Sequence, residues 1–431
     1  MRKVISGQNE DRALRFEDIE REARRGALLI AARLLESMLN ADTGDYRGQA
    51  QPCPCGGIAR YRGRRGKTFI TVLGDMTLTR AYYYCPACKH GFFPRDRQLA
   101  LGEGMLSAGV RRMVGMSAAL VSFQESHQLL DELAGLNIET RQVERVAEAL
   151  GQDIARDERS HVGQRPAPSG TMYLGLDGTG IPMRQEELKG RPGKQVDGSS
   201  RTREMKLVTT WTADGRDKEG IPVRDEGSVA YNAAIESAAT ADTDEQLSDF
   251  ARRVGREGRR TGYDRANRQV LIGDGAKWIW SMADELFPRA IQIVDLYHAK
   301  GTVSEAARKI FGLGNQMGEG KAKKWRDLLE GGDIDRIIDD LGAFQSCQEA
   351  EVCIKYLQTN RERMRYPLFR EVGLCTSSGV VEAGCKVAIG TRLKRAGMHW
   401  TLVGANAISA LRCSKLSDRF DGYWLRRRLA G

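Results

Sequence analysis

Two short apolar runs in this chain end the same way, in an aspartate followed by a glycine: YLGLDG at 173–178 and LIGDG at 271–275. Each reads as a buried strand, and Gly275 lets the chain turn sharply where the second one stops. Asp177 and Asp274 then sit at strand mouths, where open α/β sheets keep their chemistry. One such acid means little, so the question is what the rest of the chain brings to it.

TMYLGLDGTGIPM gives the first strand, EMKLVTTWTADG (204–215) a second and GIPVRDEGSVAYNA (220–233) a third. A helix follows through DEQLSDFARRVGREG, then the strand ending at Asp274, a helix to about Phe287, and a fifth strand in AIQIVDLYHA, 290–299. Three strands, a crossover helix and two more strands separated by a helix is the order of a ribonuclease H-like fold, which sets the first and fourth strands side by side. Asp177 and Asp274 are therefore expected to be neighbours. In CTSSGVVEAGCKVAIGTRLKRAGMHWT, a turn at Ser377, Ser378 and Gly379 precedes a helix that would bring Glu382 to the open side of the sheet. Three carboxylates suit a pair of hard Mg²⁺ or Mn²⁺ ions, which activate the attacking oxygen and stabilise the leaving one in phosphoryl transfer. Lys386, Arg392, Lys394 and Arg395 follow closely and could hold DNA phosphates. Any one of these acids alone reads equally well as a solvated or helix-capping carboxylate.

The formal charge of +10, from 67 Lys and Arg against 57 Asp and Glu, favours a polyanionic partner, nucleic acid first and an anionic membrane surface second, although many basic proteins bind neither. No apolar run approaches the roughly 20 residues that span a bilayer, and the N-terminus lacks a secretory signal, so the expectation is a soluble cytoplasmic protein with no membrane partner. Four of nine cysteines are clustered: Cys53 and Cys55 in PCPCGG, Cys85 and Cys88 in CPACKHGFFP. The alternating stretches between them, with Gly74 and Asp75, predict a hairpin that closes two knuckles over one structural Zn²⁺. The first pair is a CxC, tighter than the CxxC of the second, and His90 is a spare donor. The other reading is a small reduced β domain with incidental cysteines. Arg60, Arg62, Arg64, Arg65 and Lys67, with Tyr82, Tyr83 and Tyr84, make the hairpin either a ribbon along a phosphate backbone or a solvated basic surface. Cys347, Cys353, Cys375, Cys385 and Cys413 read as core residues or inert thiols.

Residues 11–39, from Leu14 to Met38, have the pattern of an amphipathic helix, packed on its own domain or used in dimerisation. ESHQLLDELAG and LNIETRQVERVAEALGQDIARD outline a helix-turn-helix with Gly135 in the turn; its second helix would offer Arg141, Gln142, Glu144 and Arg145 to a DNA groove, or simply pack in a bundle. HVGQRPAPSG (161–170) looks like a linker and 181–204 like a mobile loop. The expected organisation is a helix over 1–50, a zinc-binding β hairpin domain at 51–100, a helix-turn-helix at 101–160, the first part of an α/β ribonuclease H-like catalytic core at 161–300, an all-helical insertion at 301–370, and the rest of the core with a basic C-terminal helix at 371–431.

LDGTG, IGDGAKWIW, VDLYHA and SSGVVEAGCK together resemble the catalytic core of DDE transposases from bacterial insertion sequences, most closely the ISKra group, and the resemblance extends to the cysteine region and the helix-turn-helix. It implies Asp177, Asp274 and Glu382 as catalytic metal ligands. It implies that His298 of VDLYHA orients the scissile phosphate or donates a proton, the plainer alternative being a capping or packing histidine with Asp295 as its partner. Double-stranded DNA, as terminal inverted repeats and as target, would be the partner of a homodimer or larger homo-oligomer acting near the bacterial nucleoid. Alternatives are a nuclease without strand transfer, a DNA-binding regulator that has lost its chemistry, and a zinc-stabilised scaffold for RNA or protein.

Overall fold

The computed structural model describes residues 15–102, 104–163, 170–190, 200–218, 220–238, 247–344, 346–377 and 379–429. Leu14, Ser378, most of the expected linker (164–169), the centre of the expected loop (191–199) and the start of the crossover helix (244–246) lie outside the described residues. The chain forms two compact units. One comprises the chain up to Leu150 together with the chain from Asp421 on; the other is Gly151–Phe420.

In the first unit a long helix, α1 (Phe16–Ala41), precedes a four-stranded antiparallel sheet of β1 (Ala50–Pro52), β2 (Ile58–Thr71), β3 (Gly74–Cys85) and β4 (His90–Phe92), in that spatial order. Strand β2 slips by a bulge between Tyr61 and Arg64 as it runs along β3. Ala32 of α1 is buried with Phe69, Met76 and Leu78 of the hairpin, and a second small core gathers Ala59, Ala81 and Tyr83 around Cys53 and Cys85. Short α2 (Pro94–Gln98) leads to α3 (Ala108–Leu120), α4 (Phe123–Ala134) and α5 (Thr140–Ser160), which crosses into the second unit. α4 starts in a capping box, Ser122 receiving the Glu125 amide while the Glu125 carboxylate receives the Ser122 amide at 2.8 Å. The turn into α5 is tied by the Leu136 N–H donating to Leu130 O (3.0 Å) and by His127 Nδ1 meeting Ile138 O at 2.9 Å.

The second unit is built on a five-stranded sheet: β5 (Thr171–Pro182), β6 (Thr202–Thr212), β9 (Ala230–Ala234), β10 (Arg268–Gly273) and β11 (Ile291–Val294), in the spatial order β11-β10-β5-β6-β9. β11, β10 and β5 are parallel, whereas β6 runs antiparallel to both β5 and β9. This is the strand arrangement of a ribonuclease H-like core. The expected third strand divides in two. Asp225 accepts from the Thr212 hydroxyl (2.5 Å) and the Asp214 and Gly215 amides (3.1 and 3.0 Å), turning the chain so that β7 (Gly215–Arg216) and β8 (Pro222–Val223) pair apart from the sheet. The fifth strand also ends early, because Asp295 caps the helix that follows.

Helix α6 (Asp249–Thr261) is the crossover, and α7 (Lys277–Leu286) separates β10 from β11. Then come α8 (Leu296–Phe311), α9 (Gln316–Glu330), α10 (Ile334–Gly342), α11 (Gln348–Asn360) and α12 (Tyr366–Glu371). Trp325, Ile334 and Ile337 of this helical insertion are buried in one core with Tyr173 and Trp211 of the sheet, Phe250 of α6 and Trp280 of α7. α13 (Gly379–Gly384) continues directly into a π-helical stretch, Cys385–Gly390, and one further turn, α14 (Thr391–Leu393). α15 (Leu402–Leu416) packs beside β9, its Ser409 hydroxyl donating to Ala233 O at 3.0 Å. α16 (Phe420–Leu429) carries buried Tyr423 and Trp424.

Candidate acidic site and cysteine centre

The parallel register of β5 and β10 decides the position of the two aspartates. Ile272 stands opposite Gly175, so Asp274 and Asp177, each two residues further on, leave the same end of adjacent strands. Strands at this spacing are roughly 4.8 Å apart. β5 differs from expectation in continuing past its acid to Pro182, paired only with β6, where Asp177 faces Leu207. β10 stops as foreseen. Gly275 has φ +101°, the Ala276 N–H donates to Asp274 Oδ1 at 2.8 Å, and a Cβ at Gly275 would come within 2.6 Å of the Tyr356 ring. That ring's hydroxyl donates to Asp274 O at 3.2 Å, so the helical insertion holds the turn in place.

Burial pushes the Asp177 carboxyl above its usual range; the Cys385 thiol and the Gly178 amide, which both hydrogen-bond it, pull the other way. The negative charge of Asp274 adds to the rise and His298 opposes it. Asp177 thus lies within the electrostatic reach of both Asp274 and His298. The chain has turned helical at 298 as anticipated, but Asp295 serves the backbone: its Oδ1 accepts from the His298 amide at 2.7 Å, while the exposed imidazole lies on the first turn of α8.

Glu382 arrives by a helix that fits the sheet closely. Gly175 has no Cβ, and one placed there would lie 2.0 Å from Val381 Cγ2. With Val381 against β5, Cys385 reaches Asp177, and Glu382, three residues before it, lies along the rim. Its side chain is 68% exposed and paired with Lys386 at 2.8 Å. Asp177, Asp274 and Glu382 are on one sheet edge by backbone, but among the described residues the only set of three or more metal-binding side chains whose donor atoms converge is the four cysteines.

The basic residues around Glu382 separate by burial. Lys386 and Lys394 are exposed, Lys394 donating to the Thr179 hydroxyl; Arg395 is exposed too. Arg392 corrects the expectation of a DNA contact: it is fully buried, its guanidinium 5.4 Å from the Trp400 ring centre, and presents no surface to a phosphate. On α5, Arg141 and Arg145 are exposed one turn apart and Gln142 is half-buried. In the hairpin, Arg64 is taken by buried Asp45 (3.0 Å) and Arg65 lies 3.7 Å over Tyr82, so the ribbon's cations are partly engaged by the protein.

The cysteines meet as the two knuckles require. All four Sγ atoms lie within 4.8 Å of one another, Cys53 to Cys88 and Cys55 to Cys85 both at 3.7 Å. Tetrahedral zinc at about 2.3 Å from each sulfur needs neighbouring sulfurs about 3.8 Å apart. The short CxC therefore supplies both of its thiols, and His90 is outside the set. The Cys88 and Ala87 amides pull the Cys85 thiol down to about 7, readying a thiolate; the Cys55 amide also pulls on Cys53, but burial and the other thiols outweigh it and raise Cys53 to about 12. A cation is what would let all four deprotonate together.

Two contributors escaped the sequence reading. Cys385 was grouped with the inert cysteines, although its place one helical turn after Glu382 was a usable signal. Tyr356 lies deep in the insertion, and no local pattern ties it to Asp274.

No family model matches the chain, and no curated protein matches it. Among solved structures, the Drosophila P element transposase strand transfer complex is similar over 77% of this chain and 83% of that one, with 9% identity and a TM-score of 0.24. Likeness at that level pairs no individual residues. Among the described residues no helix is long and apolar enough to cross a membrane.

Proposed function

We propose that the chain is a metal-dependent DDE transposase of the insertion-sequence kind, in which Asp177, Asp274 and Glu382 hold two Mg²⁺ or Mn²⁺ ions. The observation that carries the reading is the register that sends Asp177 and Asp274 off adjacent parallel strands at the same end. The donor set fits: carboxylate oxygens suit a hard divalent cation, and the Asp177 carboxylate, disfavoured by burial and by the charge of Asp274, is one that such a cation would stabilise. Bound there, the metals would lower the pKa of the attacking hydroxyl group and stabilise charge on the leaving oxygen.

The chain's own residues do the rest. The Gly275 turn and the Tyr356 hydroxyl fix Asp274, the Cys385 thiol fixes Asp177, and Val381 seated over Gly175 holds the helix that delivers Glu382. Water attacks the phosphorus at an element end, the P–O3′ bond breaks, and a 3′-hydroxyl is left. That hydroxyl attacks a target phosphorus, forming a new P–O3′ bond and releasing a target 3′-hydroxyl. His298 orients the scissile phosphate or donates the proton that the leaving oxygen takes. Arg141, Gln142 and Arg145 read the inverted repeat, while Lys386, Lys394 and Arg395 hold phosphates beside the acids.

Incubation with Mg²⁺ or Mn²⁺ and the two DNA ends flanking the gene is expected to give nicks and joined products. Asp274→Asn should lose both while still binding the ends; the same products from the variant would remove Asp274 from the site. One observation favours a second reading, a DNA-binding regulator: Glu382 is paired with Lys386 rather than turned to the aspartates. Binding of cognate ends with no cleavage in either metal would decide for the regulator.

A further inference from the structure

The cysteine-bearing unit contains a large cleft that neither the acids nor the helix-turn-helix uses. It encloses about 1040 Å³ between the hairpin, the segment 90–102 and the last helix. Among the described residues Arg47, Lys67, Arg80, Arg97 and Arg427 line it against a single carboxylate, Asp96. That carboxylate is already spent: both of its oxygens accept from Arg80 Nη1, at 2.5 and 2.6 Å. The cleft is therefore strongly positive around an internally satisfied ion pair.

Arg80 is only 3% exposed, yet among the described residues its Nε meets no hydrogen-bond acceptor, and neither does Nε2 of Gln51 in the same lining. A buried donor left without an acceptor is costly, and an acceptor brought against this wall offsets that cost. The surrounding cations favour an anionic source of such acceptors. The aromatic groups in the cleft are committed to the protein: Phe93 lies under Arg80 (4.0 Å) and against Tyr82 (5.1 Å), and Phe92 stacks on Tyr83 (5.8 Å). They leave no free ring for a base. The cations come from separate segments of chain and surround far more space than one phosphate fills, which suits a run of phosphodiesters.

We infer that this cleft grips the phosphate backbone of duplex DNA without reading its sequence, through Arg47, Arg97 and Arg427 over a wall of Arg80 and Gln51. The inference rests on the reading of the chain as a DNA-processing enzyme and adds a second DNA contact to it. Phosphate contacts of this kind set register and affinity, while specificity stays with groove-reading side chains.

The test is fluorescence anisotropy of the full chain on a random-sequence duplex and on an inverted-repeat duplex, across a salt series. It compares the parent, Arg47→Gln/Arg97→Gln, and Arg141→Gln/Arg145→Gln. Arg47 and Arg97 are exposed, so zinc content and melting temperature should match the parent. The cleft variant is expected to bind both duplexes about tenfold more weakly, and its plot of log affinity against log salt to flatten by about 1.8, or about 0.9 for each lost phosphate contact. The Arg141/Arg145 variant should instead lose preference for the inverted repeat. Parental affinity and slope in the cleft variant would overturn the cleft and leave the transposase reading standing. A parent that binds neither duplex would overturn both. Tight binding of inorganic pyrophosphate with no duplex binding would assign the cleft to a small phosphorylated ligand instead.

Discussion

The two candidate metal centres are built by opposite means. In the cysteine centre four thiols from two tight turns already converge within 4.8 Å, two pairs of them at 3.7 Å, and nearby amides have begun to favour a thiolate. In the acidic site the backbone places Asp177 and Asp274 together, while Glu382 stays with Lys386 at the rim. Knuckle geometry is local and is complete once the hairpin pairs. The acidic site depends on strands and helices far apart in sequence, and Glu382 would have to leave Lys386 to join the two aspartates. One centre is suited to a permanent ion, the other to metals that come with the reaction.

The largest effect should come from the preformed centre. Cys85→Ser is expected to abolish stoichiometric zinc, about one ion per chain in the parent, and to remove the cooperative melting of its unit, since binding energy at a structural site is folding energy. Metal analysis and calorimetry would check this; a variant melting like the parent without zinc would make the cluster incidental.

Next comes the response of the acidic site to metal. Mn²⁺ at about a hundred times its dissociation constant should stabilise the parent by about 2.7 kcal/mol and Asp177→Asn far less. The sign without metal is the reverse of the usual one. Because folding raises the Asp177 pKa above its ordinary 3.8, the folded state is penalised once pH exceeds the unfolded value. Asp177→Asn should therefore melt higher than the metal-free parent at neutral pH, with the gain vanishing as pH falls through the folded and then the unfolded pKa. Melting curves at several pH values, with and without Mn²⁺, would show it; a variant melting lower than the metal-free parent at pH 7 would count against the buried carboxylate pair.

The smallest effect sharpens the role of the helix that carries Glu382. Gly175→Ala sets a methyl group 2.0 Å from Val381 Cγ2, so α13 must shift. The expected cost is about 1–3 kcal/mol of stability, with strand cleavage falling more than DNA binding. Equal losses in both would indicate general unfolding instead.

Much of this architecture could be read from the sequence because strong local signals agreed with one another. Strand-length apolar runs, turn glycines and helix periodicity gave the order of elements from Thr171 to Val294, and that order fixes which strands are neighbours. The CxC and CxxC knuckles were legible for the same reason. Failures occurred where tertiary context overrides residue type. Arg392 looks like a surface cation in GTRLKRAG, yet it is buried beside Trp400. The third strand broke because Asp225 collects donors from a distant turn, and the thiol beside Asp177 depends on how α13 seats over Gly175, information no local window holds.

Helix α16 brings the chain back to where it began. Asp421 pairs with Arg112 of α3 at 2.7 Å, and the segment from 421 on belongs to the unit that contains the cysteines. The cysteine-bearing unit is thus completed only after the whole ribonuclease H-like core has been made. A chain cut short before Arg427 would keep the four cysteines and the core, yet it would lack a wall of the basic cleft. The grip on DNA inferred for the cleft would thus belong to chains whose ribonuclease H-like core is already complete.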